Sequence, residues 1–279
     1  MEATEFSAVL QQHQGAFHPI VPFDPGNDKL YPLDFTDANT LLDAGQIADT
    51  ERFAAYINAQ LLQHNGKYGI GGYGEHRTLY ARSAHFDIPA KALSGPGGEG
   101  GPREEAGPGP RKETGPLDKG GAAAGSATHS EEPRRLHLGI DVWGPAGTRV
   151  MSPLDGIIHS FAFNNNDSDY GATLILTHQL AGIGFHTLYG HLSLNSLKNL
   201  YEGKNISKGE VIGEFGMRFE NGNWPPHLHF QLIRDMQGWR GDYPGVCRFS
   251  ERATWMANCP DPDLILQLNR FLKKTNGVR

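Results

Sequence analysis

The chain has 279 residues, of which 38% are hydrophobic, and this is enough for a packed core in one large domain or two small ones. Its 25 Lys and Arg residues are outnumbered by 31 Asp and Glu residues, and the net charge of -6 offers no basic surface for nucleic acid or an anionic membrane. No apolar run approaches the roughly 20 residues that a membrane-spanning helix needs.

Residues 1–48 are rich in Pro, Asp and Asn and show little periodicity, so we expect extended chain and turns. They contain Glu2 and Glu5 and have neither the basic start nor the apolar core of a secretory signal. This predicts a cytoplasmic protein.

An amphipathic helix is predicted next. Asp49 and Thr50 can cap its start, and Phe53, Ile57 and Leu61 recur at helical spacing. Residues 69–83 then predict a glycine-rich turn, followed by a short strand at 78–80.

Residues 94–132 differ in composition, with many Gly and Pro residues and almost no large apolar side chain. Such a segment cannot bury enough apolar surface to offset its ordering entropy. We predict a flexible insertion or linker there, without a part in catalysis.

After Arg134, short β-type runs alternate with Pro and Gly turns, which is typical of an antiparallel β-sandwich or barrel. The predicted strands cover 136–142, 148–151, 156–163, 173–177, 185–192, 210–215 and 227–233. An amphipathic stretch at 264–272 predicts a C-terminal helix that packs on the sheet. The predicted fold is mainly β, with an N-terminal helix and a C-terminal helix.

The first segment that can carry chemistry is His137-Leu138-Gly139-Ile140-Asp141, in a predicted strand. Because side chains alternate between the faces of a strand, His137, Gly139 and Asp141 point to one side. A side chain at the glycine would fill the space that a metal ion needs between two ligands. The alternative is a chance pairing of His and Asp on a polar strand face.

The second segment, His227-Leu228-His229-Phe230, repeats this alternation, with both histidines on one face. Two His and one carboxylate are an accepted ligand set for a catalytic zinc site that keeps a water in its fourth position. One imidazole of the pair is then left for catalysis.

The third segment, Tyr189-Gly190-His191-Leu192, ends a predicted strand and offers a further histidine. In this order, H-x-G-x-D, Y-x-H-L and P-H-L-H-F resemble the LytM/lysostaphin-type zinc metalloendopeptidases, which cut peptide cross-links in peptidoglycan. The resemblance covers roughly residues 136–233 and includes P-L-D-G at 153–156 and K-G-E-V-I-G at 208–213.

This resemblance implies a peptidase core of the duplicated hybrid motif type, in which His137, Asp141 and His229 bind Zn²⁺ and His191 and His227 are catalytic. It implies a peptide or peptidoglycan-like substrate. Zinc would lower the pKa of its bound water and polarise the scissile carbonyl. Since no H-E-x-x-H glutamate is present, the two catalytic histidines would carry the proton.

Three positions depart from the family pattern. Arg149 stands where Pro is common, Gln231 stands where an acidic residue is frequent, and Trp224-Pro225-Pro226 replaces small residues. These changes alter the groove rather than the implied ligands, so the choice of substrate stays open.

Six further histidines have no partners at useful spacing and are interpreted as structural or exposed. They are His76, His85, His129, His159, His178 and His186. The Glu75-His76-Arg77 turn is the exception that could border the groove. Cys247 and Cys259 lack C-x-x-C spacing, so we expect two reduced thiols, with a local disulfide as the alternative.

The predicted regions are an N-terminal accessory region at 1–93, the insertion at 94–132, a zinc metallopeptidase core at 133–237 and a C-terminal extension at 238–279. The predicted function is that of a zinc-dependent metalloendopeptidase. Two alternatives stay open: a cytosolic zinc hydrolase of a small amide or peptide, and a non-catalytic regulatory module of the same fold. The presence of all five site residues disfavours the regulatory module. The oligomeric state does not follow from the sequence.

Overall fold

The computed structural model describes residues 3–88 and 132–272. The predicted insertion at 94–132 lies outside the described residues except for Glu132, and His129 lies outside them as well. Within the described ranges, no helix has both the length and the apolar character that crossing a membrane would require.

Most strands in the described part of the chain belong to one eight-stranded sheet. Two of them come from the N-terminal part, β1 (Leu30–Leu33) and β2 (Tyr68–Gly71). The others are β4 (Ile140–Trp143), β6 (Gly156–Asn164), β7 (Gly171–Leu180), β8 (Ile183–Leu192), β9 (Asn205–Ile206) and β11 (His227–Ile233). Their order is β1-β2-β4-β11-β8-β7-β6-β9.

Two small sheets accompany the large one. In the first, β3 (Leu136–His137) pairs with β12 (Val246–Cys247), and in the second, β5 (Arg149–Met151) pairs with β10 (Val211–Glu214). Among the described strand pairs, β1 and β2 run parallel and the others run antiparallel. The prediction of a mainly β fold is confirmed.

The predicted amphipathic helix is present as α3 (Thr50–His64). The side chain of Asp49 accepts hydrogen bonds from two backbone N–H groups of the first turn, at 2.9 and 3.2 Å, and is therefore the N-cap. Asn65 ends the helix in the left-handed conformation, at φ 51°. The predicted apolar face is buried in a cluster that also contains Trp143.

The expectation of extended chain over residues 1–48 is wrong in two places. This part contains helices α1 (Ala3–Gln12) and α2 (Ala44–Ala48) as well as β1. Phe6 and Leu10 lie one helical turn apart and are 2% and 1% exposed, so their packing in the main core stabilises α1.

The prediction of a short strand at 78–80 is wrong as well. Thr78–Arg82 forms a 3₁₀ helix, and Ala84–Phe86 forms a second one. The adjacent residues Leu79 and Tyr80 are both buried. A strand covered on one face cannot bury two successive side chains against the same layer, whereas a tight helical turn can.

The continuous strand predicted over 136–142 breaks at Leu138 and Gly139, between β3 and β4. The N–H of Leu138 donates to Gly245 O at 2.8 Å, which holds this part of the chain to the segment before β12. Leu138 and Ile140 consequently pack in different core clusters. The break carries the chain from a small sheet into the large one.

The C-terminal part contains α4 (Arg252–Asn258) and α5 (Asp263–Leu266). The helix predicted over 264–272 is present but shorter, because Gln267 adopts a left-handed conformation at φ 52° and ends α5. Ile265 and Leu268 are buried in the main core, which accounts for the amphipathic pattern without a long helix.

Strand β11 carries the H-x-H motif through the centre of the large sheet, and all of its residues are buried. Leu228, Phe230 and Leu232 pack in the main core. Because side chains alternate along a strand, His227 and His229 point to the opposite face.

Candidate metal centre

Antiparallel pairing brings the sequence motifs together. Strand β11 lies between β4 and β8, so that His229 is directly opposite Asp141 on one side and Gly190 on the other. His227 is opposite Trp143. The register therefore places the H-x-H motif beside the aspartate of H-x-G-x-D.

Three ligand-type atoms form a small triangle beside these strands. His137 Nε2 lies 3.0 Å from His229 Nδ1 and 3.3 Å from Asp141 Oδ1, and the latter two atoms are 3.1 Å apart. The residues are 0%, 3% and 3% exposed for His137, Asp141 and His229. Among the described residues, this is the group of His and Asp side chains that could hold a metal ion.

The second nitrogen of each ligand-type histidine fixes its tautomer. His137 Nδ1 is 2.9 Å from Gly72 O, and His229 Nε2 is 2.9 Å from Gln231 Oε1, so these nitrogens carry the protons. The Gln231 amide is oriented by its own donation to Pro244 O at 3.2 Å. Two nitrogen lone pairs and one carboxylate oxygen therefore face the same point.

The triangle fits a tetrahedral metal. Ligand atoms about 2.0 to 2.1 Å from a tetrahedral zinc are about 3.3 Å apart, close to the separations of 3.0 to 3.3 Å found here. Three acceptors without a proton to share repel one another, and a divalent cation between them removes that repulsion. The donor set and its spacing thus suit Zn²⁺.

Gly139 is required for a reason that differs from the predicted one. A Cβ atom at this position would lie 2.4 Å from His229 Cε1 and 2.9 Å from Phe230 O. It is therefore the ring of His229, rather than the metal itself, that occupies the space beside Gly139.

His227 is held between two rings. It stacks on Trp143 with centroids 3.8 Å apart and planes at 11°, and its centroid is 4.1 Å from that of His191. Its Nδ1 lies 2.8 Å from Pro225 O, which assigns the proton to Nδ1 and leaves Nε2 as an acceptor.

His191 has a left-handed backbone, at φ 62°, which costs a non-glycine residue about 1–3 kcal/mol. Its N–H donates to Tyr170 O at 2.8 Å, and its carbonyl accepts from Gly216 N at 2.9 Å. The ring Nδ1 lies 2.8 Å from Asn221 O, so Nε2 is again left as an acceptor. These bonds hold the backbone and the ring in place.

Burial dominates the electrostatics of the site. It lowers the pKa of His137 and of His227 to about 4, and it lowers the pKa of His191 well below the ordinary value, with His227 as the next cause. Burial alone would raise the pKa of Asp141, but His137 and Arg77 lower it well below the ordinary value. At neutral pH the imidazoles of His137, His191 and His227 are neutral and the carboxylate is ionised.

An open pocket adjoins these side chains. It is lined by Asp141, His191, His227 and His229 together with aromatic walls. The walls come from the 3₁₀ helices at 78–86, from strand β4 and the segment before β11, and from the segment before β12: Tyr80, Phe86, Trp143, Trp224 and Tyr243.

Two residues beside the site have contacts that the sequence did not predict. The Glu75-His76-Arg77 turn does border the site, but His76 is exposed and it is Arg77 whose guanidinium reaches Asp141 Oδ2, at 2.5 Å. Tyr170 packs so closely on Gly190 that a Cβ there would lie 2.5 Å from the ring, and its hydroxyl is 3.4 Å from His229 Nε2. No local spacing marks either residue.

Of the other histidines, His178 bonds to Asp155 O and to Thr187 Oγ1, at 2.9 and 2.7 Å, inside the sheet. His159 and His186 pack edge to face with centroids 5.1 Å apart, away from the pocket lining. His85 does line the pocket. Cys247 and Cys259 are both free and buried, as the first of the two interpretations expected.

The fold and the site together define a metallopeptidase-type domain. Residues 135–240 match the family model of Peptidase family M23. This part of the chain is a Peptidase family M23 domain, and the resemblance to the LytM/lysostaphin family is confirmed.

Curated relatives match over the same part of the chain. The DD-carboxypeptidase/endopeptidase Mpg of Neisseria meningitidis serogroup B is 39% identical over 97 residues, which are 35% of this chain and 20% of that protein. An uncharacterized metalloprotease of Haemophilus influenzae is 32% identical over 101 residues, or 35% of this chain and 18% of that protein. The match spans about a fifth of the length of these relatives.

Solved structures give weaker matches. The catalytic domain of lysostaphin from Staphylococcus simulans is 26% identical and covers 48% of this chain and 80% of its own, at a TM-score of 0.34. A zinc-containing peptidase from Vibrio cholerae is 27% identical and covers 35% of this chain and 27% of its own, at a TM-score of 0.28.

Proposed function

We propose that the protein is a zinc-dependent metalloendopeptidase in which His137, Asp141 and His229 bind the metal. In this proposal, His191 and His227 are the catalytic residues. The site assignment rests on the side chains themselves, and the reaction class is that of the family matched by residues 135–240.

The observation that carries the proposal is the convergence of three lone pairs at one buried point. His137 Nε2, Asp141 Oδ1 and His229 Nδ1 lie within 3.3 Å of one another, and no proton is available between them. Two imidazoles with free Nε2 atoms stand next to this point in the same pocket. Three protein ligands with an open fourth position are typical of catalytic zinc.

The chemistry divides between metal and side chains. When bound, zinc would lower the pKa of its water and polarise the scissile carbonyl. His191 and His227 keep Nδ1 on a backbone carbonyl, so each presents Nε2 as the atom that accepts a proton from the attacking water. The imidazole protonated in this way can donate from Nε2 to the oxyanion and then returns that proton to the leaving amine, while the second imidazole accepts from the other O–H of the water.

For the substrate, we propose a peptide, with peptidoglycan cross-links as the first candidate class. The support is the name of the Neisseria relatives, DD-carboxypeptidase/endopeptidase, over the matched residues. A small amide or peptide is the second candidate. It is favoured by the pocket lining, part of which comes from 78–86 and 243–246, outside the matched segment.

The regional organisation is part of the same proposal: an accessory region at 1–93, an insertion at 94–132, the catalytic core at 133–237 and an extension at 238–279. The accessory region does not stand apart from the core, because Gly71 of β2 pairs with Asp141 of β4. A non-catalytic regulatory role is disfavoured by the convergence of all five side chains.

The test is zinc analysis and hydrolysis assays on the purified chain, with glycine-containing peptides, cross-linked muropeptides and short amides as substrates. We expect one zinc per chain and hydrolysis that a chelator abolishes and added zinc restores. His227→Ala should keep zinc and lose turnover, while replacement of the exposed His64 by Ala should change neither. Full activity of the parent after complete removal of metal would refute the proposal.

A further inference from the structure

Arg77 is a buried cation beside the candidate metal site. The residue is 0% exposed and lies N-terminal to the segment that matches Peptidase family M23. Its guanidinium donates from Nη1 to Asp141 Oδ2 at 2.5 Å and to the Tyr80 hydroxyl at 3.3 Å. Its Nε donates to Glu75 Oε2 at 3.0 Å and its Nη2 to Gly72 O at 3.0 Å.

These contacts give the two carboxylate oxygens of Asp141 different partners. Oδ1 faces the two histidine nitrogens, at 3.1 and 3.3 Å, whereas Oδ2 is held by Arg77. A carboxylate bound in this way offers one oxygen to a cation, because the second is engaged with a guanidinium that cannot lose its proton.

The same turn also fixes one of the histidines. Gly72 O accepts from His137 Nδ1 at 2.9 Å as well as from Arg77 Nη2, so one carbonyl orients two side chains of the site. The turn can approach this closely because Gly71 and Gly72, where it leaves β2, have no side chains. A Cβ on Gly71 would lie 2.7 Å from Arg77 Nη2, and one on Gly72 would lie 2.8 Å from Glu75 Oε1.

A buried ion pair of this kind is weak support for stability, since an apolar replacement of both partners is often at least as stable. Its geometric effect is more specific. In a site with three protein ligands, a second oxygen from Asp141 would take the position that a catalytic centre leaves open for water.

We propose that Arg77 is a positioning residue that keeps Asp141 a one-oxygen ligand and thereby keeps the fourth coordination position open. This inference rests on the proposed zinc site and extends it to residues outside the matched domain. It makes the turn at 72–77 part of the metal centre. It predicts that loss of the Arg77 guanidinium changes the number of ligand atoms on the metal more than the fraction of the protein that holds metal.

The experiment compares the parent with Arg77→Met and Arg77→Lys in three measurements: zinc affinity by chelator competition, the visible absorption of the Co²⁺-substituted protein, and turnover. Tetrahedral Co²⁺ absorbs more strongly than five-coordinate Co²⁺. In Arg77→Met we expect a loss of absorption intensity, zinc affinity equal to or above that of the parent, and a kcat about 10- to 100-fold lower. Removing a nearby cation and adding an oxygen ligand both strengthen metal binding. If Arg77 had only a structural role, its replacement would weaken metal binding instead.

Arg77→Lys keeps the charge but not the planar fork, so its Co²⁺ absorption should lie between those of the parent and Arg77→Met. If Arg77→Met does not fold, the Co²⁺ spectrum of Arg77→Lys alone tests the inference. The matched control is Arg82→Met, which removes a partly buried arginine of the neighbouring turn that bonds to Thr50 and Asn223 instead, and its Co²⁺ spectrum should equal that of the parent.

An unchanged Co²⁺ spectrum in folded Arg77→Met and Arg77→Lys would overturn the inference, and so would a fall in zinc affinity with parental absorption of the loaded protein. If the parent itself binds neither Zn²⁺ nor Co²⁺, the proposed function fails. If the parent binds both metals and the Arg77 variants have the same Co²⁺ spectrum as the parent, only the inference about Arg77 fails.

Discussion

His229 Nδ1 and Asp141 Oδ1 lie 3.1 Å apart across the adjacent strands β11 and β4, and both are within 3.3 Å of His137 Nε2. Asp141 supplies the one negative charge of this triangle, and its Oδ2 bonds to Arg77. The carboxylate is therefore central to both the proposed metal site and the buried ion pair.

Asp141→Asn should abolish stoichiometric zinc binding. The amide oxygen can still accept from Arg77, but the amide nitrogen then faces the two imidazoles as a neutral donor and cannot bind a cation. Asp141→Ala should also lose zinc and should be less stable by about 1–3 kcal/mol, because the buried guanidinium of Arg77 then keeps only Glu75 as an ionic partner. Metal analysis and thermal unfolding check both variants.

The control for these variants is Asp37→Ala, which removes an exposed aspartate. It should keep one zinc per chain. A full equivalent of zinc in folded Asp141→Asn would show that the ligand assignment is wrong.

Gly139→Ala should also lose zinc, although it touches no ligand atom directly. The added methyl group would lie 2.4 Å from His229 Cε1 and would push the ring away from the triangle. Overpacking of this kind typically costs about 1–3 kcal/mol. Gly184→Ala is the matched control, because the nearest atom to its Cβ is 4.0 Å away. Normal zinc binding by Gly139→Ala would contradict the close approach of the His229 ring.

Periodic features of the sequence were sufficient to predict the parts of the fold that depend on local pattern. The face of α3 follows from Phe53, Ile57 and Leu61, and the burial of Leu228 and Phe230 follows from alternation along β11. The H-x-H motif belongs to this group, because β11 places both histidines on one face. H-x-G-x-D does not, because it spans the break between β3 and β4, so strand alternation alone does not bring His137 to Asp141.

The features that the sequence did not reveal depend on contacts between distant parts of the chain. Arg77 and Asp141 are 64 positions apart, so no spacing rule connects them. The break at Leu138 depends on the carbonyl of Gly245, and the short length of α5 depends on the left-handed Gln267. The site was predictable as a set of residue types, whereas the side chains that orient those residues were not.

His178 should make the stability of the fold depend on pH. Burial lowers its pKa from 6.5 to about 4 in the folded chain. Below about pH 6.5 the unfolded chain takes up a proton that the folded chain does not, so this stability is complete above pH 6.5 and is lost as the pH falls toward 4. The loss attributable to His178 is roughly 3 kcal/mol, at about 1.4 kcal/mol per pKa unit.

The measurement is the free energy of unfolding at pH 7 and pH 4, on chelator-treated parent and His178→Gln. Groups that titrate in both proteins cancel in the comparison, so the variant should lose roughly 3 kcal/mol less than the parent over this interval. Equal losses in the two proteins would remove His178 as a source of the pH dependence.

His191→Ala and His227→Ala should each keep zinc and the fold but lose about 10²- to 10⁴-fold in kcat, the usual contribution of general acid-base assistance. Their rings lie 4.1 Å apart beside the triangle, and neither ring supplies one of its three atoms. Because both would act on the same water and oxyanion, the double variant should be little slower than the slower single variant. Zinc content and steady-state kinetics on one substrate decide the matter. Loss of zinc in His227→Ala would make that residue a ligand, and near-parental turnover in either single variant would exclude that histidine from the mechanism.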